Sequence, residues 1–393
     1  MQVTPRERLM RYAHWLQGTL FGLVEEHTGG PLSEKTKLLA AVLELVPISR
    51  QLPCARGWLG RPCKDRHALA CAFVAKAVHG FETTRQLLDR LRVDRQLRLL
   101  CGWNSARQLP HESTFSRVFA EFAETELPQR LHEALVLETQ KGRLVGHISR
   151  DSTAIEAREY FAPRRKTKKS KQAKKRGRPR KGQSAAPSDK RVLRQLTQTL
   201  PQMLGELPTG CDIGCKTSSK GYLQHWRGYK LHIDVADGGI PISCLFTSAS
   251  VHDSQAAIPL ATISAQRVTS LYDIMDAAYD AKSIAEHSRA LGHVPVIAPN
   301  GAPVPVPKRV QDSRRGYDRR RKLVTHCNRK RPPLTPAEQQ RYQLRSMSES
   351  VNSRLKDEFG ARSVRVRGAA KVMAHLMFGV LALTVDQWLK LIA

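Results

Sequence analysis

Residues 335–359 read TPAEQQRYQLRSMSESVNSRLKDEF. Thr335 is a good N-cap, Pro336 suits the first helical position, and Glu338 completes a capping box, so one helix is expected from Thr335 to Phe359. At about 100° per residue, Tyr342, Arg345, Glu349 and Lys356 point near 0°, 300°, 340° and 320°. A tyrosine, two cations and a carboxylate thus share a stripe about 60° wide. Two readings are open. Arg345 and Glu349 have the i,i+4 spacing of an ion-pair ladder on a solvated helix. Alternatively, Glu349 ligates a metal and its neighbours grip phosphate. Carboxylates at strand ends elsewhere in the chain decide between the two.

The charge balance names a class of partner. Lys plus Arg number 65 against 35 Asp plus Glu, a net charge of +30 over 393 residues. That excess implies a polyanion, with nucleic acid ahead of a membrane surface. No apolar run reaches the ~18 residues of a spanning helix; Leu376 to Val385 is about half that and is followed by Asp386. The N-terminal MQVTPRERLMRYAHW has no apolar signal-peptide core, so a cytoplasmic protein is expected. The eight scattered cysteines are expected as reduced thiols. Cys211 and Cys215, with His225 and His232 downstream, form a loosely spaced zinc alternative.

Length allows two or three domains. Residues 1–140 read as an all-α domain: HALACAFVAKAVHG and TTRQLLDRLRVDRQLRLLCG carry helical spacing and end at Gly80 and Gly102. Ser113 is an expected N-cap for a helix with Phe115, Val118, Phe119 and Phe122 on one face. These helices suit either a helix-turn-helix DNA reader with Arg117 outward or a plain bundle.

From residue 141 the pattern becomes α/β. LVGHI predicts a short strand that delivers Asp151 at or just past its end, although Asp151 could instead cap a helix AIEARE. Residues 158–220 read as a basic insertion; Arg164 to Lys181 holds twelve Lys or Arg and no acid. Within it, Arg176-Gly177-Arg178-Pro179 has the core of an AT-hook, suited to a narrow A·T minor groove. Tyr229 to Val235, the turn Asp237-Gly238-Gly239 and IPISCLFT predict a hairpin. A helix from Val251 to about Ala265 follows, then the strand SLYDIM ending on Asp276, a helix over 280–293 and the strand VPVIAP. His252-Asp253 reads as a helix start. Asp280 reads as a helix cap, and Asp273 as a strand residue that could share the side of Asp276. A second basic loop spans 301–333, and an apolar core helix closes the chain.

Asp151, Asp276 and Glu349 therefore stand where two strand ends and a packed helix can meet. Three clustered carboxylates repel unless a cation neutralises them, and an all-oxygen set suits Mg²⁺ or Mn²⁺. Two such ions serve phosphodiester chemistry.

These residues resemble the DDE transposases of bacterial insertion sequences, in the group with a Tyr-x2-Arg-x3-Glu-x6-Lys signature, which Tyr342, Arg345, Glu349 and Lys356 match at every spacing. ISRDST and IMDAAYDA resemble the segments of the two family aspartates, GYKLHIDVADGGIPIS the hairpin between them, and LPHESTFSRVF the N-terminal helical region. The resemblance implies a ribonuclease-H-like catalytic domain over 141–393. It implies Asp151, Asp276 and Glu349 as catalytic metal ligands for Mg²⁺ or Mn²⁺, two ions. It implies Tyr342, Arg345 and Lys356 as contacts to DNA phosphates. It further implies cleavage at transposon ends, strand transfer into target DNA without a covalent protein–DNA intermediate, a homodimer synapsed on DNA, and residence in the bacterial cytoplasm at the nucleoid. A repressor-like protein without catalysis and a purely hydrolytic nuclease are the alternatives.

Overall fold

The computed structural model describes residues 11–12, 14–52, 64–159, 190–217, 222–299 and 334–392. The AT-hook-like Arg176–Pro179 and the basic loop 301–333 lie outside the described residues.

Described residues before 140 are helical. The helices are α1 (Phe21–Thr28), α2 (Glu34–Leu45), α3 (Arg66–Val78), α4 (Thr84–Val93), α5 (Arg95–Leu100), α6 (Glu112–Glu124) and α7 (Leu127–Thr139). Their ends follow local chemistry. Asp94 terminates α4 and its carboxylate caps α5, while Gly80 and Gly102 take left-handed backbone just past their helices (φ +69° and +93°). The α6 helix starts two residues earlier than Ser113 predicts, because His111 Nδ1 accepts from the Ser113 N–H. The apolar faces of α4, α5 and α6 turn inward, with Leu87, Leu91, Leu97 and Phe115 buried, and Arg117 stays exposed.

The sheet has the strand order β2-β3-β1-β5-β6, and β4 pairs with β3. The strands are β1 (Leu144–Glu156), β2 (Asp212–Thr217), β3 (Leu223–Ala236), β4 (Ile240–Ser248), β5 (Thr269–Met275) and β6 (Val294–Ile297). The strand β3 pairs antiparallel with both β1 and β4, and β1, β5 and β6 run parallel. Two helices, α9 (Ala257–Arg267) and α10 (Lys282–Ala290), connect β4 to β5 and β5 to β6. The expected hairpin turn is present, with Gly238 and Gly239 both left-handed, and the Asp237 carboxylate ties it to β1 through the Gly146 and His147 N–H groups.

Three expectations change here. First, β1 runs eight residues beyond LVGHI, and AIE is strand rather than helix. Pairing from Ile148↔Ala236 to Glu156↔Gly228 supplies hydrogen bonds that a short helix would have lacked. Second, residues 190–217 are not featureless insertion. They hold α8 (Leu200–Glu206), whose Met203 is buried with Ile258 and Tyr279, and the strand β2. Third, the Thr335–Phe359 helix is two helices, α11 (Pro336–Tyr342) and α12 (Ser346–Asp357), joined by a tighter turn over Gln343–Arg345. The predicted capping box of Thr335 and Glu338 is formed.

The last helix, α13 (Ala369–Ile392), lies among α2, α3, α6 and α7 and against β4. Phe378 packs on Phe73 and Phe119 at centroid distances of 5.9 and 6.4 Å. The helical region and the sheet thus share one core rather than meeting at residue 140 as separate bodies. By length and composition residues 369–391 could cross a membrane, which exceeds the apolar run read from sequence; 67 % of that window is buried inside the protein, as in a core helix.

Gly228 marks where β3 leaves β2 and meets β1. It has φ +149°, and a Cβ there would fall on the Ile155 carbonyl oxygen and lie 2.8 Å from Ala157 N. Both obstacles are backbone at the end of the strand bearing Asp151 and just beyond it. Gly228→Ala is expected to lower unfolding free energy by about 3 kcal/mol, from backbone strain and overpacking combined. Urea denaturation checks it, and a loss below about 1 kcal/mol would mean the β1–β3 junction yields easily.

Candidate active site

The last parallel pair of β1 and β5 is Arg150↔Met275. One residue further along each strand stand Asp151 and Asp276, on neighbouring strands about 4.8 Å apart. Their paths then diverge. Asp151 stays in β1, opposite Ile233 of β3, while Asp276 leaves β5 and caps a short turn by accepting from Ala278 N at 2.9 Å. Asp151 thus lies within its strand, not at its end. Burial, with Asp276 as a neighbouring like charge, pushes its carboxyl up to about 6. Asp276 is also raised, by burial and then by Asp253.

Alternation along β1 gives its two faces different work. Arg150 points under the sheet and is 2 % exposed. Its Nε and Nη2 donate to the two oxygens of Asp234 at 2.8 and 2.7 Å, and Ser264 of α9 donates to Asp234 at 2.6 Å. Burial alone would weaken the Arg150 charge; Asp234 and Asp273 more than restore it. Ser149 and Asp151 point to the other face, towards α12. Ser149 Oγ lies 2.8 Å from Ser348 Oγ, and Asn352 Nδ2 donates to Asp151 Oδ2 at 3.1 Å. Four helical residues rise about 6.0 Å and two strand residues about 6.6 Å, so α12 runs alongside β1 in register.

Glu349 flanks that inward face. Its side chain is 53 % exposed and accepts from Arg345 Nη2 at 2.5 Å, the i,i+4 pair read from the sequence. Arg345 also lowers the carboxyl values of Asp151 and Asp276 by attraction, and so links all three carboxylates electrostatically. Among the described residues no three His, Cys, Asp or Glu side chains are gathered as a metal-holding group. The tight turn at Gln343–Arg345 advances about 120° per residue, which narrows the stripe of Tyr342, Arg345, Glu349 and Lys356 from about 60° to about 40°. Arg345 accordingly lies over the Tyr342 ring, 5.7 Å from its centroid. The end of α11 is pinned to β5 by Arg341, stacked 4.4 Å over Tyr272 and donating to its hydroxyl at 3.2 Å. Lys356 is half-buried and lowered by burial, then by Arg362 and Lys216.

Three neighbours escaped the sequence reading. Asp253, read there only as a helix start, accepts from Lys230 Nζ at 2.9 Å and raises Asp276. Burial would raise Asp253 itself, but the Lys230 ammonium helps hold it below the ordinary range; His232, pushed down to about 4 by burial, is neutral at pH 7. Lys216 acts on both aspartates from β2. Asn352 completes the set. None carried a local signal, because each arrives from a separate element. Asp273 sits on the opposite side from Asp276, buried and bonded to Ser288 and His293. The zinc alternative does not assemble: His232 is buried against Thr247, while Cys215 and His225 face each other as an exposed cross-strand pair.

Residues 211–385 match the family described as Transposase DDE domain, and residues 31–121 match Transposase domain (DUF772). Both matched families are transposase domains. Together they indicate an insertion-sequence transposase family. The transposase DDE match spans Asp276, Tyr342, Arg345, Glu349 and Lys356 and begins beyond Asp151. The second transposase match covers α2 through most of α6, in the helical region. No curated protein and no solved structure gives a significant match.

Proposed function

We propose that this chain is a DDE transposase that cleaves DNA at transposon ends and joins the freed ends to target DNA. The observation that carries the reading is the side-by-side placement of Asp151 and Asp276, with α12 docked on Asp151 through Asn352 and its Glu349 paired to Arg345 beside them. Strand order supports a ribonuclease-H-like assignment: without β2, an antiparallel trio β4-β3-β1 continues into the parallel pair β5-β6. The two transposase family matches agree with it.

The donor chemistry fits a hard divalent cation. Two aspartates share one cleft, both resist ionisation, and every candidate ligand is an oxygen. Asp151, Asp276 and Glu349 would hold Mg²⁺ or Mn²⁺, one or two ions, which when bound activates the attacking oxygen and stabilises the leaving one. The chain's own residues prepare the site. Arg345 occupies Glu349 and partly neutralises the aspartates, so its release from Glu349 frees a third carboxylate. Arg345 then offers a planar fork, and Lys356 a point charge, to DNA phosphate. Tyr342 supports Arg345 from one ring face.

Lys216 and Lys356 extend the cationic rim, and the net charge of +30 makes DNA binding steeply salt-dependent. The helical region, and the basic segment with Arg176, Gly177, Arg178 and Pro179, are assigned to DNA binding. The active form is assigned as a dimer synapsed on two DNA ends in the cytoplasm, at the nucleoid.

The test compares wild type with Glu349→Gln on DNA carrying the element ends, with Mg²⁺ or Mn²⁺. Loss of cutting with retained binding is expected. Equal cutting by both would return Glu349 to a surface ion pair. Cut ends without joined product would favour a purely hydrolytic nuclease.

A further inference from the structure

Asn352 is 6 % exposed and sits at the centre of the contact between α12 and β1. Its Nδ2 donates to Asp151 Oδ2 at 3.1 Å, and its Oδ1 is buried with no donor among the described residues. Docking of α12 does not need this amide. Val351 and Leu355 are buried on the same helix, and Ser348 meets Ser149 one turn earlier. An apolar side chain of similar size would fill the space and remove the unsatisfied Oδ1, but it would take the donor from Asp151 Oδ2. A buried amide with one arm on a carboxylate and the other unsatisfied is what a site that orients a charged group retains.

We propose that Asn352 is a positioning residue for the cation site, holding the Asp151 carboxylate in the orientation that receives the ion and keying Asp151 to the helix that carries Glu349. This rests on the reading of Asp151 as a cation ligand. The amide occupies Asp151 Oδ2 and so orients the carboxylate whose other oxygen would face a bound ion. It also fixes the relation between two ligands about two hundred residues apart in the chain: Glu349 lies one turn before Asn352, so anchoring Asn352 on Asp151 sets how far Glu349 must swing once Arg345 lets go.

The experiment measures Mn²⁺ binding to the full chain directly, from the paramagnetic resonance signal of free Mn²⁺, without DNA and without turnover. Wild type, Asp151→Asn, Asn352→Leu and Ser348→Ala are compared, each with a thermal melt in the absence of metal. Asn352→Leu keeps volume and gains helix propensity, which offsets the hydrogen bond lost to Asp151, so it is expected to melt close to wild type and to bind Mn²⁺ about 10- to 100-fold more weakly. Ser348→Ala is expected to melt lower and to bind Mn²⁺ as wild type does. Asp151→Asn loses the site. If Asn352→Leu binds within twofold of wild type while Asp151→Asn does not bind, the positioning role is overturned and the cation site stands. If Ser348→Ala weakens Mn²⁺ as much as Asn352→Leu does, Asn352 only docks the helix. If Asp151→Asn binds like wild type, the cation-site reading fails and this inference falls with it.

Discussion

Asp151→Asn is expected to melt above wild type at pH 7 without metal, and to lose DNA cleavage when metal is supplied. The two effects have one cause. Asp151 is pushed up to about 6 by burial and by Asp276, against about 3.9 in an unfolded chain. The folded state therefore binds this proton more tightly than the unfolded state. Stability tied to it is fully present below about pH 4 and is lost as pH rises through about 6. At pH 7 the ionised carboxylate costs about 2–3 kcal/mol, and asparagine avoids that cost while still accepting from Asn352. The melting curves of the two proteins should coincide below about pH 4 and separate between about pH 4 and 6. A bound cation reverses the ranking, because it stabilises only the wild type. Removing a ligand that supports several kcal/mol of transition-state charge should lower cleavage by about 10³-fold or more. An Asp151→Asn protein that melts below wild type at pH 7 would contradict the electrostatic account, and one that cuts normally would remove Asp151 from the site.

The other large effect lies one residue earlier and on the opposite face. Asp234→Ala should cost about 3–5 kcal/mol, because it strands Arg150 in the interior without a counter-charge. Both side chains are almost completely inaccessible, 2 % and 0 % exposed, so water cannot take the place of the carboxylate. Asp273 stays near but already serves Ser288 and His293. Replacing the pair together, Arg150→Met with Asp234→Leu, should recover much of the loss, since the penalty belongs to the orphaned charge and not to a missing attraction. Urea denaturation of the singles and the double at pH 7 measures this. A single-variant loss under about 1 kcal/mol would mean that solvent reaches Arg150. The pair also bears on function. It clamps β1 to β3 beneath Asp151, so the Asp234→Ala protein should lose cleavage along with stability, whereas Asp151→Asn separates the two.

Local chemistry carried the sequence reading a long way. The capping box at Thr335 and Glu338, the stops at Gly80 and Gly102, and the turn at Gly238 and Gly239 each depend on residues within about four positions, and each is present. The spacing of Tyr342, Arg345, Glu349 and Lys356 survived even the break at Gln343–Arg345, because the tighter turn rotates all later residues together. Parallel strands were legible as short apolar runs between helices. The true length of β1 was not, since its last eight residues are strand only because β3 offers partners.

What the sequence determined by itself, then, is most of the elements, the net charge of +30 and a four-residue polar stripe. Tertiary structure decided which carboxylates meet. Asp151 and Asp276 stand 125 positions apart in the chain and become neighbours through one parallel register, Arg150↔Met275. The same register sends Arg150 inward and Asp151 to the cleft, and it admits Asn352, Asp253 and Lys216 from three further elements. The physical reason is range. Caps and turns are settled by bonds within one turn of chain, whereas the position and ionisation of a carboxylate depend on burial and on charges that only packing brings close.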